Sequence, residues 1–381
     1  MMLVWILIGV CVLVIMPYAT YLLGYVLLQP SGCPAEKSAS RTSVSVVLPT
    51  YNEEKIIRSK LESLVSLEYP ENLLEIVVVD SSSDQTPDIV REFASTTSVN
   101  IRLVEESGRR GVATAVNEGV NIASGGVIFR TDCDSRVGEH TLRHAVATLQ
   151  DPTIGAVMGR QTVVLGGSQV ESEYRNLQTR NQVLESHIDS TFIVHGPCFA
   201  FRRADFDPIH PSSLADDTEV GVNLRRKGLR VVLNPEMTFT ESGVSNIRDR
   251  RQRKDRRAMG LIQLLVRSRD MLGRYGQYGT LILPFNWWFM IIAPWLTALA
   301  ITGVIISSLA IFGLGGIFVL AGFIMFVWLG QRDALGLGQP LYAVFDSNIS
   351  LCIASARLLL RDGGDGTWEV DADSREVFEN E

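Results

Sequence analysis

Gly126-Val-Ile-Phe-Arg-Thr-Asp-Cys-Asp-Ser-Arg136 is an apolar run that breaks directly into two carboxylates one residue apart, Asp132 and Asp134. Gly138 follows and turns the chain. A strand that ends this way exposes paired oxygen donors at the rim of a sheet, a place to hold a divalent cation. The same pattern recurs upstream. Ser43-Val-Ser-Val-Val-Leu48 reads as a buried strand ended by Pro49 and followed by Thr50-Tyr-Asn-Glu-Glu54. Leu74 to Val79 is the next strand, ended by Asp80-Ser-Ser-Ser-Asp84. Glu53 to Leu67, Pro87 to Phe93 and Val112 to Ala123 have helical character, and Ile101 to Val104 and Val127 to Phe129 read as strands. This βαβαβ order predicts an α/β fold, a Rossmann-like, mostly parallel sheet with flanking helices, binding ligands beyond the carboxyl ends of its strands. One Asp- and Ser-rich cluster after a strand is ordinary capping chemistry. Three at successive strand ends point to a nucleotide, which needs base, ribose and metal-bridged diphosphate contacts from neighbouring strands.

Downstream, Ile154 to Leu165 is strand-rich and Ser168 to Glu185 is a polar helix carrying Arg175 and Arg180. His195-Gly-Pro-Cys-Phe-Ala-Phe-Arg-Arg203 reads as a turn and a short strand. Leu214-Ala-Asp-Asp-Thr-Glu219 opens a helix closed by Gly228. Its adjacent carboxylates, Asp216 and Asp217, stand at the helix start, where the macrodipole favours them. Ile247 to Arg274 is a basic amphipathic helix. Two readings stay open for its arginines: contact with anionic lipid, or a clamp on a diphosphate. One helix can do both.

The chain has 381 residues and a net charge of -7, which argues against nucleic acid as a partner. Lysine is scarce beside arginine, a mark of genome bias or of an acidic, salt-adapted surface. Five dispersed cysteines without a Cys-x-x-Cys pair exclude a disulfide framework or a zinc site as the organising feature. Met1 to Leu28 is apolar, and Leu281 to Leu329 contains no Lys, Arg, Asp or Glu. About 20 apolar residues cross a bilayer, so the first block suffices for one crossing and the second for two. The first block could be a signal peptide, but it lacks a basic n-region and a clean cleavage site, which favours a retained anchor. Lys37, Arg41, the arginines from Arg248 to Arg274, and Arg332, Arg357 and Arg361 flank the crossings and place the middle of the chain and its tail in the cytoplasm, at the plasma membrane. The expected plan is an anchor at 1–29, a linker at 30–42, a catalytic domain at 43–246, basic interfacial helices at 247–280, two crossings within 281–330, and an interfacial helix with an acidic tail at 331–381. Trp368 in that tail is a candidate docking residue.

Together these motifs resemble those of membrane-bound family 2 glycosyltransferases with the GT-A fold, over about Val44 to Gly260 and the flanking membrane segments. Pro49-Thr-Tyr-Asn-Glu53 is similar to the opening motif that contacts the nucleotide. Asp80-Ser-Ser-Ser-Asp-Gln-Thr86 resembles the motif whose first aspartate reads the base, and Arg110-Gly111 with Asn117-Glu-Gly119 the loop and helix that follow. Asp132-x-Asp134 resembles the family's Asp-x-Asp, which implies a nucleotide contact from Asp132 and a Mg2+ or Mn2+ contact from Asp134. Asp216-Asp217 stands where the family has its acidic pair, implying Asp217 as catalytic base, with Gly196, Pro197 and Asp216 in the acceptor region.

The residue types suit that chemistry. Charge building on a leaving diphosphate is stabilised by a cation and by arginines, for which Arg253, Arg256 and Arg257 are candidates. A carboxylate across the sugar takes the acceptor proton. The expected activity is inverting, metal-dependent hexosyl transfer from a UDP- or GDP-sugar to a lipid-linked or glycan acceptor, in contact with membrane lipids. Processive relatives carry Gln-x-x-Arg-Trp where this chain has Arg253-x-x-Arg256-Arg257, and two C-terminal crossings make a thin export channel. Both points favour a single transfer over polymer synthesis. Val112 replaces a lysine common in relatives. A processive synthase and a non-catalytic sugar-nucleotide-binding protein are the alternatives. A nucleotidyltransferase fits less well, because Thr50-Tyr-Asn-Glu53 is not a glycine-rich, basic loop.

Overall fold

The computed structural model describes residues 2–35, 38, 40–165, 169–242 and 247–359. Lys37, Arg361, Trp368 and the acidic tail lie outside the described residues. After helix α1 (Met2–Leu28) the chain alternates β1 (Val44–Thr50), α2 (Ile57–Val65), β2 (Leu74–Asp80), α3 (Thr86–Ala94), β3 (Asn100–Glu105), α4 (Val112–Ile122) and β4 (Val127–Arg130). These strands pair in parallel, in the order β3-β2-β1-β4. Alternation along β1 sorts the core: Val46 and Leu48 pack with Ile57, Leu61 and Phe93 on one face, and Val47 packs with Val116 and Val120 on the other. Their burial is the main drive for this half of the domain.

β1 does not end at Pro49 but runs on to Thr50. Val47 accepts a backbone bond from Thr131, and pairing with β4 stops at Val47–Arg130. Pro49 faces that same side beyond the end of the ladder, where its missing N–H loses nothing. Helix α2 begins at Ile57 rather than Glu53, because Glu53 turns the chain, its carbonyl accepting from Ile56 and Ile57.

The sheet is parallel in four of its seven strand pairings, and the antiparallel ones all lie in its second half. β5 (Ser135–Val137), α5 (Thr141–Thr148), β6 (Ile154–Leu165), α6 (Gln169–Ile188), β7 (Phe199–Arg202), α7 (Asp216–Arg226) and β8 (Arg230–Ser242) extend the sheet to β3-β2-β1-β4-β7-β6-β8-β5. β7 runs antiparallel to both β4 and β6, and β5 antiparallel to β8, whereas β6 and β8 are parallel. The result is a mixed α/β sheet.

α8 (Ile247–Arg267) ends seven residues before Arg274, in a short turn at Arg269–Met271. Helix α9 (Leu283–Trp287) leads through a π turn into α10 (Ala293–Phe312), and α11 (Ile317–Gln331) follows a turn at Gly313–Gly316. That turn backs onto Ser308 and Leu309, so the chain reverses between α10 and α11. Ile8–Leu28 and Tyr278–Gln331 are long and apolar enough to cross a membrane by length and composition, with mean hydropathies of 2.0 and 2.5. α12 (Gln339–Leu359) packs on α8, where Asp346 is gripped by Arg251 and Lys254.

Candidate active site

The first two strand-end clusters are knit together. Thr50 donates its hydroxyl to Asp80 Oδ1 at 2.6 Å, and Ser82 donates to the same oxygen at 2.6 Å. Asp80 is thereby fixed and only 2% exposed. Asn52, in the left-handed region at φ 53°, accepts from the Ser83 amide at 2.9 Å, and the Glu53 amide donates to Thr86 Oγ1 at 2.9 Å. Arg110 lies between Glu106, at 2.7 Å, and Glu118. Asn117 has a bracing role: its side chain exchanges two 2.8 Å hydrogen bonds with the backbone of Ile209.

The third cluster sits on a buried lysine. Lys60 stands where the apolar face of α2, with Ile57, Leu61 and Leu64, would carry another hydrophobe. Its ammonium donates to Thr131 Oγ1, Ser135 O and Ser135 Oγ at 2.9, 2.8 and 3.1 Å, holding both ends of the loop that carries Asp132 and Asp134. Burial, and then Arg136, pull its pKa down to about 7. Burial raises the pKa of Asp132, with Asp134, Glu241 and Asp216 adding to the rise and Arg130 opposing it. Such a crowd of carboxylates is strongly favourable only with a cation among them.

Among the described residues no group of three or more His, Cys, Asp or Glu side chains is arranged to hold a metal ion. A Mg2+-like cation does not need one, since one or two carboxylates plus substrate phosphates and waters suffice. The all-oxygen donors Asp132 and Asp134 fit that requirement.

Asp216 and Asp217 open α7. Asp217 accepts from the Gly196 amide at 2.9 Å and from the Thr218 amide at 2.6 Å. Pro197 supplies a carbonyl to the Thr131 hydroxyl at 2.8 Å, so the turn at Gly196–Cys198 joins the Asp132 loop to α7. Burial first, and then the adjacent Asp216, push the pKa of Asp217 up to about 6, against the pull of Arg130 and the two amides. Helix α8 reaches this corner because Gly260 has no side chain: a Cβ there would lie 2.7 Å from the Leu214 backbone. One turn earlier, Arg256 lies within the fields of both Asp216 and Asp132, and burial lowers its pKa to about 10. Arg253 lies close enough to repel it, and Arg257 pairs with Glu241 at 3.0 Å.

The sequence-predicted residues therefore converge on one strand-end face, with Thr50, Asp80 and Arg110 at one side, Asp132 central, and Gly196, Pro197, Asp216, Asp217 and Arg256 at the other. Lys60, Arg130 and Glu241 escaped the sequence reading. A lysine in the apolar stripe of α2 and an arginine closing Val-Ile-Phe were the available signals. Glu241 had none, since its strand was not foreseen.

The mixed sheet, with one carboxylate pair after a strand and a second at a helix start, matches the GT-A glycosyltransferase fold. Residues 45–209 match the family model described as glycosyl transferase family 2, and the chain carries a family 2 glycosyltransferase domain. It is 30% identical over 204 residues to the probable glycosyltransferase YdaM of Bacillus subtilis (strain 168), covering 50% of this chain and 49% of the relative. It is 29% identical over 173 residues to the beta-monoglucosyldiacylglycerol synthase of Trichormus variabilis, covering 45% of this chain and 35% of that protein. These matches span about half or less of the curated relatives' length. The solved mannosyltransferase PcManGT of Pyrobaculum calidifontis, in complex with GDP-Man and Mn2+, superposes with a TM-score of 0.80 at 28% identity, covering 94% of this chain and 99% of that one.

Proposed function

We propose that the protein is an inverting, metal-dependent glycosyltransferase that moves a single sugar from a nucleotide-sugar donor to a lipid-linked or membrane-associated acceptor at the cytoplasmic face of the membrane. The observation that carries this reading is the meeting of two carboxylate pairs, Asp132 with Asp134 and Asp216 with Asp217, from distant parts of the chain at one corner. Asp80 and its neighbours hold the nucleoside, with Asp132 beside the diphosphate. Asp134, with Asp132 beside it, would hold Mg2+ or Mn2+, which supplies positive charge against the leaving diphosphate when bound. Asp217 takes the proton of the acceptor hydroxyl as its oxygen attacks the anomeric carbon. The carbon–oxygen bond to the diphosphate breaks, and the nucleoside diphosphate leaves with the electron pair. One displacement inverts the anomeric centre. Arg256, between the two carboxylate pairs, balances the departing charge.

The likeness to a mannosyltransferase bound to GDP-Man and Mn2+ makes GDP-mannose the first donor to assay, with UDP-sugars second. The apolar spans next to the basic α8 favour an acceptor delivered from the membrane. The test is a screen of GDP- and UDP-sugars against membranes containing the protein, with Mn2+ or Mg2+. Metal-dependent release of one nucleoside diphosphate per sugar transferred, with no growth of the product, is the expected result. A lengthening product identifies a processive synthase, and loss of all donor turnover with intact protein removes the catalytic reading.

A further inference from the structure

Arg130 closes β4 with its side chain turned into the protein, 8% exposed, at the end of a strand otherwise made of Val, Ile and Phe. Burying a guanidinium is unfavourable unless its charge is matched and its donors are used. Here the match comes from two elements. Nη1 donates to Asp132 Oδ2 at 3.0 Å, and Nη2 lies 2.9 Å from Asp132 Oδ1, a two-armed grip. Nη2 also lies 3.5 Å from Asp216 Oδ2, on α7. Burial works against the charge of Arg130, but Asp132, Asp216 and Asp217 more than outweigh it.

The space for this side chain is made by Gly196. A Cβ at that position would sit 1.6 Å from Arg130 Nη1 and 2.4 Å from its Cζ. Yet the Gly196 amide is also a donor to Asp217. One residue thus admits the guanidinium and holds the base, and one guanidinium touches both carboxylate pairs.

We propose that Arg130 is the positioning residue that couples the two halves of the site: it fixes the donor-side Asp132 against Asp216 and so sets the placement of Asp217 toward the acceptor hydroxyl. This role rests on the reading of Asp217 as base. Lysine cannot reproduce it, because a single ammonium lacks the planar fork that holds Asp132 while reaching Asp216. Asp217 is faced by Asp216 on its own helix, Arg130 from β4 and the Gly196 amide from the turn, while Arg256 from α8 lies near Asp216. Removing Arg130 deletes the cation that opposes the rise of Asp217, so the acid limb of the rate profile moves to higher pH.

The test uses the full-length protein and four variants: Arg130→Met, Arg130→Lys, Gly196→Ala and the double variant Arg130→Met with Gly196→Ala. Binding of Mn2+ with GDP and with UDP is followed by calorimetry, and turnover of the donor found in the screen is followed across pH. Arg130→Met is expected to lower kcat about a hundredfold, the scale of a misplaced catalytic group, and to shift the acid limb up by about one pH unit. Arg130→Lys restores the limb, because the charge returns, but not kcat, because the fork does not. Gly196→Ala keeps Arg130 but displaces it, and reproduces the loss. It adds little in the Arg130→Met background, where the space has been vacated. Should Arg130→Met not fold, Gly196→Ala and Arg130→Lys carry the same comparison.

A folded Arg130→Met or Gly196→Ala variant with kcat within about twofold of wild type and an unmoved acid limb overturns the role. So does a double variant whose losses multiply. A wild-type protein that binds neither nucleotide with Mn2+ overturns the transferase reading itself and this role with it. Wild-type binding and turnover beside indifferent variants overturn the role of Arg130 alone.

Discussion

At the scale of the residue, Asp217 carries a conflict between stability and chemistry. In the proposed role of base it must be ionised, and its ionisation is opposed by burial and by Asp216, which push its pKa up to about 6. Turnover should therefore fall along an acid limb centred near pH 6, read from kcat against pH. The linkage has a definite sign. The folded pKa lies above the ordinary 3.8, so the native state binds the extra proton between those values, and stability is lost as pH rises through about 6. Asp217→Asn should then be more stable than wild type at neutral pH by on the order of 1–2 kcal/mol, and no more stable below the ordinary carboxylate range. Thermal melts at the two pH values check this. The aspartates were legible because acidic clusters recur at three successive strand ends and again at a helix start, more than capping alone requires. Arg130 was not, since nothing in Val-Ile-Phe-Arg tells whether a terminal arginine points to solvent or into the protein. Only the pairing with β7 and the missing Cβ of Gly196 decide that.

At the scale of the element, α2 shows how a helix serves a site it does not line. Its apolar stripe seats it on the sheet, and Lys60 uses one core position to hold the Asp132 loop from beneath. Thr131 Oγ1 also bonds to Pro197, and Ser135 Oγ to the Asp132 carbonyl, so both hydroxyls keep partners if the ammonium is removed. Lys60→Met, which also relieves the cost of a buried charge, should change stability at neutral pH by no more than about 1 kcal/mol. Affinity for Mn2+ with GDP or UDP should drop because the loop loosens, and calorimetry beside denaturant titration separates the two effects. In wild type the unfolded lysine keeps its proton up to 10.5 whereas the folded one loses it near 7, so this group's contribution to stability rises with pH across that window. The variant should lack that rise. The parallel half of the sheet was legible because buried strands separated by amphipathic helices leave a strong periodic trace. The second half was not. β5 and β7 are only three and four residues long, β6 and β8 pair through register shifts, and the reversed direction of β7 follows from a connection that no local pattern encodes.

At the scale of the whole molecule, the catalytic domain is tied to the apolar helices through Glu185. Its carboxylate accepts from Tyr21 of α1 at 3.1 Å, Asn286 of α9 at 2.9 Å, Thr191 at 3.1 Å and the Phe192 amide at 3.0 Å, and burial raises its pKa. The segment from Thr191 runs on to Gly196 and its contact with Asp217, so the same joint that seats the helices borders the proposed base. Glu185→Ala takes the acceptor from the Tyr21 hydroxyl and the Phe192 amide, while Thr191 and Asn286 keep second acceptors at Ile193 and Ile282, and should destabilise the protein by about 3 kcal/mol, measured by denaturation in detergent. A change below about 0.5 kcal/mol, the ordinary range for a surface position, would show that the joint is not formed. The apolar spans were legible from composition, but their seating on α6 through one carboxylate was not, because Glu185 reads in the sequence as one more polar residue on a polar helix.

The central claim is that Asp217 removes the acceptor proton while the donor is held elsewhere. It is tested most directly by comparing Asp217→Asn with wild type for calorimetric binding of Mn2+ with GDP or UDP and for sugar transfer. Donor-side affinity should be unchanged while transfer falls by about 10²–10⁴-fold, the usual contribution of a general base. Full transfer by Asp217→Asn would contradict the account.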